Sequence, residues 1–158
     1  MQPGWRILPA DFDDARLLAL LTLHLDGMRR YSPACSVHAL DLSGLKAPGV
    51  TLYTLWEGDA LIGMGALRLH PDGVAEVKSM RTHPDHVGRG VGRAILEHLI
   101  GEAGQRGCYR VSLETGSGPA FDAALNLYAA RGFKKGDAFG GYEASDFNQF
   151  YHLDLQTA

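Results

Sequence analysis

Hydrophobic positions in the first half of the chain change from a helical period to a strand period. Leu17, Leu18, Leu21 and Leu25 recur at helical spacing and predict a helix from about residue 11 to residue 28, behind Asp11, a residue type that caps helix N-termini. A short apolar run at 5–8 precedes this helix, and residues 36–45 have the serine cap and apolar content of a second one. Apolar and polar residues then alternate in three runs separated by turn sequences: 50–57, 60–69 and 74–83. The pattern predicts a strand, two helices and an antiparallel three-stranded meander.

In the second half of the chain, single helical patterns alternate with strand patterns. Val91, Ile95 and Leu99 recur every four residues behind Gly90 and predict a helix that ends near Gly104. A strand at 108–115 follows, and then a helix that ends at Gly132. The inner face of that helix is expected to comprise Phe121, Leu125, Tyr128 and Ala129. Two short strands close the order βααβββαβαββ, in which the strand–helix–strand crossover favours a parallel pair of the fourth and fifth strands.

Composition narrows the class of protein. The 158 residues suggest one domain, 1–158, and the formal net charge of −3 argues against a nucleic-acid-binding module. Cys35 and Cys108 lie far apart without metal-ligand spacing, which fits two reduced thiols in a cytoplasmic protein. No apolar run reaches the length of a membrane span, so neither nucleic acid nor a membrane is expected as a partner.

A dense group of glycines lies between the fourth strand and the helix that follows it. Gly88, Gly90 and Gly92 alternate with larger residues, and glycine at a helix N-terminus allows an anion to approach unpaired backbone N–H groups. A P-loop is excluded because no Lys-Ser/Thr follows, and the spacing and the antiparallel context fit a dinucleotide fingerprint poorly. A turn where helix and strand pack closely is the purely structural alternative.

Two segments resemble the signatures of the GNAT superfamily of acetyl-CoA-dependent N-acetyltransferases. The first is VKSMRTHPDHVGRGVGRAILEHL, in which Gly90 and Gly92 match the small residues of the family's cofactor motif. The second is AALNLYAARGF, at the expected distance along the chain. The resemblance covers nearly the whole chain and implies an α/β (α+β) domain with a mixed central sheet of about seven strands, flanked by helices. Two positions depart from the family pattern: Val87 replaces an Arg or Gln, and Phe121 replaces a frequent Asn.

The resemblance implies that coenzyme A binds with its pyrophosphate on the backbone amides of the glycine segment. Arg89 and Arg93 add charge there, or form a solvated first helical turn. The fourth and fifth strands are expected to splay apart, so that backbone groups of Met80 and Thr82 meet the pantetheine arm. The implied cofactor site comprises Met80, Arg81, Thr82, Val87, Gly88, Arg89, Gly90, Val91, Gly92, Arg93 and Tyr128.

Acetyl transfer to an amine requires an acid and a base. Tyr128 stands where the family often holds a tyrosine against the thioester sulfur, and is the expected general acid; a core aromatic residue is the alternative. Glu76 and Glu114 are the candidate bases. Glu76 shares a strand face with Lys78 and is equally well explained as its ion-pair partner. Glu114 is equally well explained as a carboxylate that orders the following loop.

The acceptor wall is expected near the second helix. Ser36, His38 and Asp41 are candidate acceptor-selecting residues, with Arg29 or Arg30 as a partner for a carboxylate, although a cap at Ser36 and solvated roles for His38 and Asp41 are favoured for each residue taken singly. His83 and His86 lie close in sequence, but Pro84 between them disfavours a shared metal, so no metal is expected.

The function predicted from the sequence is transfer of an acetyl group from acetyl-CoA to a primary amine of a small molecule, in a ternary complex. A CoA-binding sensor without turnover and a protein or peptide acetyltransferase are the alternatives. Dimers are frequent in the resembled family, and the closing strand could contribute to a homodimer.

Overall fold

The computed structural model describes residues 1–33 and 42–155. Its helices and strands, in chain order, are β1 (Trp5–Pro9), α1 (Ala15–Tyr31), α2 (Leu42–Leu45), β2 (Val50–Glu57), β3 (Ala60–Leu69), β4 (Val74–Thr82), α3 (Val91–Gln105), β5 (Arg110–Thr115), α4 (Asp122–Arg131), β6 (Lys134–Gly136) and β7 (Gln149–Asp154). The predicted order of elements is therefore confirmed for these residues. The predicted start of the second helix at Ser36 lies outside them.

All seven strands form one mixed sheet with the order β1-β2-β3-β4-β5-β7-β6. Neighbouring strands are antiparallel except β4 and β5, which the α3 crossover joins in parallel. The mixed seven-stranded sheet flanked by helices is the predicted fold class.

Each face of the sheet is covered by different helices. On one face, α3 packs with Ile95 and Leu99 in a core that includes Val77 of β4. On the other face, α1 packs with Leu17, Leu20 and Leu21 against β2 and β3. Because side chains of a strand alternate between faces, Glu76 and Lys78 of β4 lie on the α1 face.

Two predicted details of the helices are wrong. Asp14, rather than Asp11, caps α1 and accepts a hydrogen bond from the Arg16 N–H at 2.9 Å. Asp11 instead accepts from the Asp13 N–H, so it orders the turn before the helix. Ala129 is exposed rather than on the inner face of α4, because that face is narrow and Tyr128 fills it.

A bulge in β4 opens the sheet at its centre. Ala66 pairs with Lys78 and Met64 with Arg81, so β4 has one residue more than β3 between these pairs. Ser79 in this bulge has a φ of 54°, which is rare for a residue other than glycine. On its other side β4 pairs with β5 only over Val74–Glu76, so the two strands already separate before the bulge is reached. The splayed strands implied by the family resemblance are therefore present.

Candidate active site

A cavity of about 200 Å³ lies where β4 and β5 separate. Its walls come from these two strands, from α1, and from the turn that leads into α4. The described lining residues are His24, Met28, Glu76, Val77, Lys78, Ser79, Met80, Arg81, Glu114, Thr115, Ala120, Phe121, Ala124 and Tyr128. The cavity passes between the strands, so it borders both faces of the sheet.

The edge of β4 that faces the cleft carries unpaired backbone groups. His83 N–H donates to Ile62 C=O at 2.9 Å, and Arg81 is paired with Met64. Since successive residues of a strand direct their backbone groups to opposite sides, Met80 and Thr82 direct theirs away from β3. They face the gap that opens where β5 separates from β4. This is the orientation needed for the predicted contact with an extended ligand that carries amide groups.

The segment before α3 forms a cradle of backbone N–H groups, the amide cradle, at residues 87–93. Gly88 and Gly90 have left-handed φ values of 77° and 86°, and no side chain caps the helix. Ala94 N–H is the first to find an acceptor, the Gly90 carbonyl at 3.0 Å. Among the described residues, the amides of 87–93 have no acceptor, which is the arrangement that binds anionic groups at helix N-termini.

The side chains around the amide cradle have separate roles. Val87 is 66% exposed, whereas Val91, the first residue of α3, is buried in the core on the α3 face of the sheet. Arg89 forms a bidentate ion pair with Glu57, with contacts of 2.6 and 3.0 Å, and lowers the pKa of that carboxyl to about 2. Arg93 is exposed at the first turn of α3. The cradle therefore presents mainly backbone groups.

Tyr128 of α4 is buried at the wall of the cavity. Burial raises its pKa to about 12, so the phenol is protonated near neutral pH. Its ring packs against Phe133, and its hydroxyl makes no hydrogen bond to any described residue. The hydroxyl thus remains able to donate a proton to a ligand in the cavity.

Glu76 is buried inside a polar cluster on the α1 face. Its Oε1 contacts His70 Nε2 at 2.9 Å, and its Oε2 accepts from Lys78 Nζ at 3.1 Å. Tyr142 also donates to Oε2, at 2.6 Å, and burial together with the negative charge of Glu76 raises the pKa of that phenol. Both carboxylate oxygens are engaged, as the ion-pair alternative for this residue anticipates.

Glu114 lies on the opposite wall of the cleft, near the end of β5. It is partly exposed, and its Oε2 accepts from the side-chain amide of Asn148 at 2.9 Å. Val111 and Leu113 belong to the α3 core, so Glu114 alternates onto the α1 face, where Glu76 also lies.

His24 and Arg81 form a pair that crosses from α1 to β4. Arg81 Nε donates to His24 Nδ1 at 3.0 Å, and burial together with the nearby guanidinium lowers the pKa of His24 to about 4. The side chain of Arg81 therefore lies on the α1 face, away from the amide cradle. Sequence reasoning missed His24, whose only signal is a polar residue on the apolar face of α1; it also missed Tyr142, which lies in a loop without a pattern.

Of the residues predicted for the acceptor wall, Arg29 lies within the described part of the chain. Arg29 is exposed near the end of α1 and does not line the cavity. Ser36, His38 and Asp41 lie outside the described residues. Within residues 1–33 and 42–155, no group of three or more His, Cys, Asp or Glu side chains has the geometry of a metal site.

Comparison with known proteins decides the family. The sequence profile of the Acetyltransferase (GNAT) family matches residues 17–133. The chain belongs to this family. It is accordingly an N-acetyltransferase, a class of acyltransferase whose members use acetyl-CoA, and the amide cradle and the open edge of β4 fit that cosubstrate.

Three relatives of the acetyltransferase have similar length. The chain is 41% identical to YedL of Escherichia coli strain K12, over 92% of this chain and 91% of that protein. It is 42% identical to YsnE of Bacillus subtilis strain 168, over 84% and 87%. Both are named uncharacterized N-acetyltransferases. It is 34% identical to the IAA acetyltransferase of Azospirillum brasilense, over 78% and 80%.

Solved structures share the fold of the acetyltransferase. A candidate acyl-CoA N-acyltransferase of Klebsiella pneumoniae superposes with a TM-score of 0.80 at 29% identity, covering 96% of this chain and 98% of that one. The yncA protein of Salmonella typhimurium, solved with acetyl-CoA, has a TM-score of 0.73 at 21% identity, covering 98% and 96%.

Within the described residues, no helix is both long and apolar enough to cross a membrane.

Proposed function

We propose that this acetyltransferase transfers the acetyl group of acetyl-CoA to a primary amine of a small molecule, by direct attack in a ternary complex. The observation that carries the proposal is the cleft itself. It joins the α3 face, where the amide cradle and Tyr128 lie, to the polar α1 face, so two substrates can meet between the splayed strands.

The amide cradle is proposed to hold the pyrophosphate. Its N–H groups lack acceptors within the described chain, and the partial positive charge of the α3 N-terminus favours an anion there. Met80 and Thr82 offer backbone groups to the amides of the pantetheine arm. Binding of this kind depends on the backbone, which explains how the site tolerates an exposed valine at position 87.

The transfer forms a bond from the amine nitrogen to the acetyl carbon and breaks the bond from that carbon to sulfur. The sulfur leaves as a thiolate and takes a proton, while the nitrogen loses one. Tyr128 is proposed as the acid, because its hydroxyl is protonated, buried at the cavity wall and without another partner among the described residues.

Glu114 is the proposed base. A base must present a lone pair to the acceptor, and Glu76 has both oxygens engaged by Lys78, His70 and Tyr142. Glu114 is partly exposed on the same face of the cleft, where a carboxylate can take the proton of the amine directly or through water. Asn148 donates to its Oε2 and so helps to fix the direction of the side chain.

We expect the two glutamates to respond oppositely to amidation. Glu114→Gln removes the proposed base at a partly exposed position, so it should lower kcat/KM for the amine by about a hundredfold or more and reduce the unfolding free energy less than Glu76→Gln does. Glu76→Gln leaves Lys78 buried without its counter-ion and should destabilise the fold by about 3–5 kcal/mol. Steady-state kinetics and urea denaturation of both variants measure this; an unchanged kcat/KM in Glu114→Gln would contradict the assignment.

A small acceptor is proposed for two reasons. The cavity of about 200 Å³ is small among ligand sites, which commonly measure about 300–1,000 Å³. One relative at 34% identity is named for acetylating IAA. A lysine on a folded protein would need a docking surface besides this cavity.

The proposal is tested by measuring thiol release from acetyl-CoA across a panel of small amines. At least one amine should release thiol in stoichiometric amount with its N-acetyl product. Tyr128→Phe should lower kcat by about a hundredfold or more, with little change in KM for acetyl-CoA and in melting temperature, because the lost hydroxyl has no protein partner among the described residues. Tight CoA binding without thiol release from any amine, and without effect of Tyr128→Phe, would favour the sensor function instead.

A further inference from the structure

The guanidinium of Arg81 lies in the cleft with no acidic partner in the described part of the chain. It donates from Nε to His24 Nδ1 at 3.0 Å, and Nη2 makes a long contact of 3.5 Å with the His24 carbonyl. No ion pair or further hydrogen bond joins it to another described residue. A half-buried arginine is ordinarily paired with a carboxylate, so this position is suited to an anionic ligand.

The carboxylates that face the same cleft are not paired with Arg81. Glu76 is neutralised by Lys78 and held by His70 and Tyr142. Glu114 stands on β5, bonded to Asn148, and forms no ion pair with Arg81. Of the two cationic side chains in the described lining of the cavity, Lys78 is therefore paired with an acid and Arg81 is not.

The surroundings of Arg81 fix its direction. His24 is neutral and accepts at Nδ1, so it holds the Nε edge of the guanidinium without competing for an anion. Gly27 leaves room for this approach, because a Cβ at that position would lie 2.9 Å from Nη2. The Nη1 group has no partner among the described residues, and Arg81 borders the cavity. A guanidinium held along one edge presents the planar fork that matches a carboxylate.

We infer that the acetyl acceptor carries a carboxylate as well as its amine, and that Arg81 binds this carboxylate while His24 positions the guanidinium. The substrate class is then a small amino acid or a related amino-carboxylic acid. This inference rests on the proposed function and names the acceptor of the same site. It gives Arg81 a role on the acceptor face, whereas the sequence places it in the cofactor motif.

The arrangement places the two ends of such an acceptor in opposite directions. Arg81 projects toward α1, whereas the Tyr128 side chain belongs to the α3 core, and both border one small cavity. An acceptor whose carboxylate contacts Arg81 has its amine directed into the gap between β4 and β5, toward the proposed acid.

The test compares each amino acid with its own carboxamide, which keeps the amine and loses the charge. Glycine with glycinamide, β-alanine with β-alaninamide, and larger pairs serve as acceptors at saturating acetyl-CoA. The measured quantity is the acid-to-amide ratio of kcat/KM, in wild type and in Arg81→Gln. Because the two enzymes see the same pairs, differences in amine basicity cancel. We expect the ratio for the best pair to fall about ten- to a hundredfold in Arg81→Gln, through KM for the acid.

Matched variants separate binding from general damage. Arg81→Lys should recover part of the ratio, since it restores the charge without the fork. Arg6→Gln, an exposed arginine of β1, should leave the ratio unchanged. A ratio that is the same in wild type and Arg81→Gln overturns the inference, as does a ratio lost in Arg29→Gln instead.

Two further outcomes also decide the question. A rise in KM for acetyl-CoA in Arg81→Gln, without a change in the ratio, would place Arg81 on the cofactor and overturn the inference. If amines are acetylated with no preference for acids, this inference fails while the proposed function stands. If no amine is acetylated at all, the proposed function itself fails.

Discussion

At the scale of single residues, burial decides which side chains of the cleft carry charge. Tyr128 and His24 are each uncharged near neutral pH for the same physical reason, although their pKa values shift in opposite directions. Burial raises the pKa of the phenol to about 12 and lowers the pKa of the imidazole to about 4, since the charged form of each is costly in an apolar site. One group keeps its proton for donation, and the other keeps a lone pair for Arg81.

The lowered pKa of His24 has a consequence for stability. The unfolded chain protonates this imidazole near pH 6.5, whereas the folded chain does so only near pH 4. Stability is therefore intact above pH 6.5 and falls as the pH drops toward 4, with no further loss from this group below that. A pKa that falls from 6.5 to about 4 corresponds to at most about 3 kcal/mol.

As the pH falls from 6.5 to 4, we expect the unfolding free energy of His24→Gln to decrease less than that of the wild-type protein. Urea denaturation at several pH values measures the free energy of unfolding of both proteins, and their difference removes the contribution of the carboxylates. Parallel pH profiles for the two proteins would show that His24 does not titrate in this way.

At the scale of elements, the close packing of α3 on β3 sets the position of the amide cradle. A Cβ at Gly63 would lie 2.5 Å from Val91 Cγ1 and 2.8 Å from Ile95 Cδ1, so the first turn of α3 rests directly on the strand. The cradle is the beginning of that same helix, so anything that lifts α3 also displaces the anion site.

Gly63→Ala should therefore reduce both stability and acetyl-CoA binding. We expect a loss of about 1–3 kcal/mol in unfolding free energy from the overpacking, together with a weaker Kd for CoA measured by calorimetry. Gly101→Ala is the control, because no atom lies within 4 Å of its Cβ and it sits on the exposed side of α3. That change should stabilise the protein by up to about 1 kcal/mol. Equal effects of the two substitutions would contradict this view of α3.

Sequence patterns predicted the elements well, because most of them obey one period. The meander, α3 and the crossover follow from alternation and from apolar residues four apart, and these are confirmed. The bulge at Ser79 could not be predicted, since it depends on tertiary pairing with β3 and leaves no mark in the period of residues 74–83. Simple alternation from Glu76, which takes no account of the bulge, places Arg81 on the α3 face instead of the α1 face.

At the scale of the whole molecule, the interrupted sheet separates two tasks. The α3 face holds the amide cradle and the proposed acid, and the α1 face holds the polar groups proposed to bind an acceptor. The sequence located the first task because it depends on a local motif, the glycines before α3. For the second it offered Glu114 as a candidate base, but it could not group Glu114 with His24, Arg81 and Asn148, since the four come from distant segments that only the fold brings together.

A crystal structure of the acetyltransferase with CoA and an N-acetylated amino acid tests the two-faced cleft most directly. We expect the pyrophosphate oxygens within hydrogen-bonding distance of the amides of 88–93, and the CoA sulfur beside the Tyr128 hydroxyl. The carboxylate of the product should contact Arg81 on the α1 face. A pyrophosphate held away from the amide cradle, or a sulfur remote from Tyr128, would contradict the central claim that acetyl transfer takes place between the splayed strands.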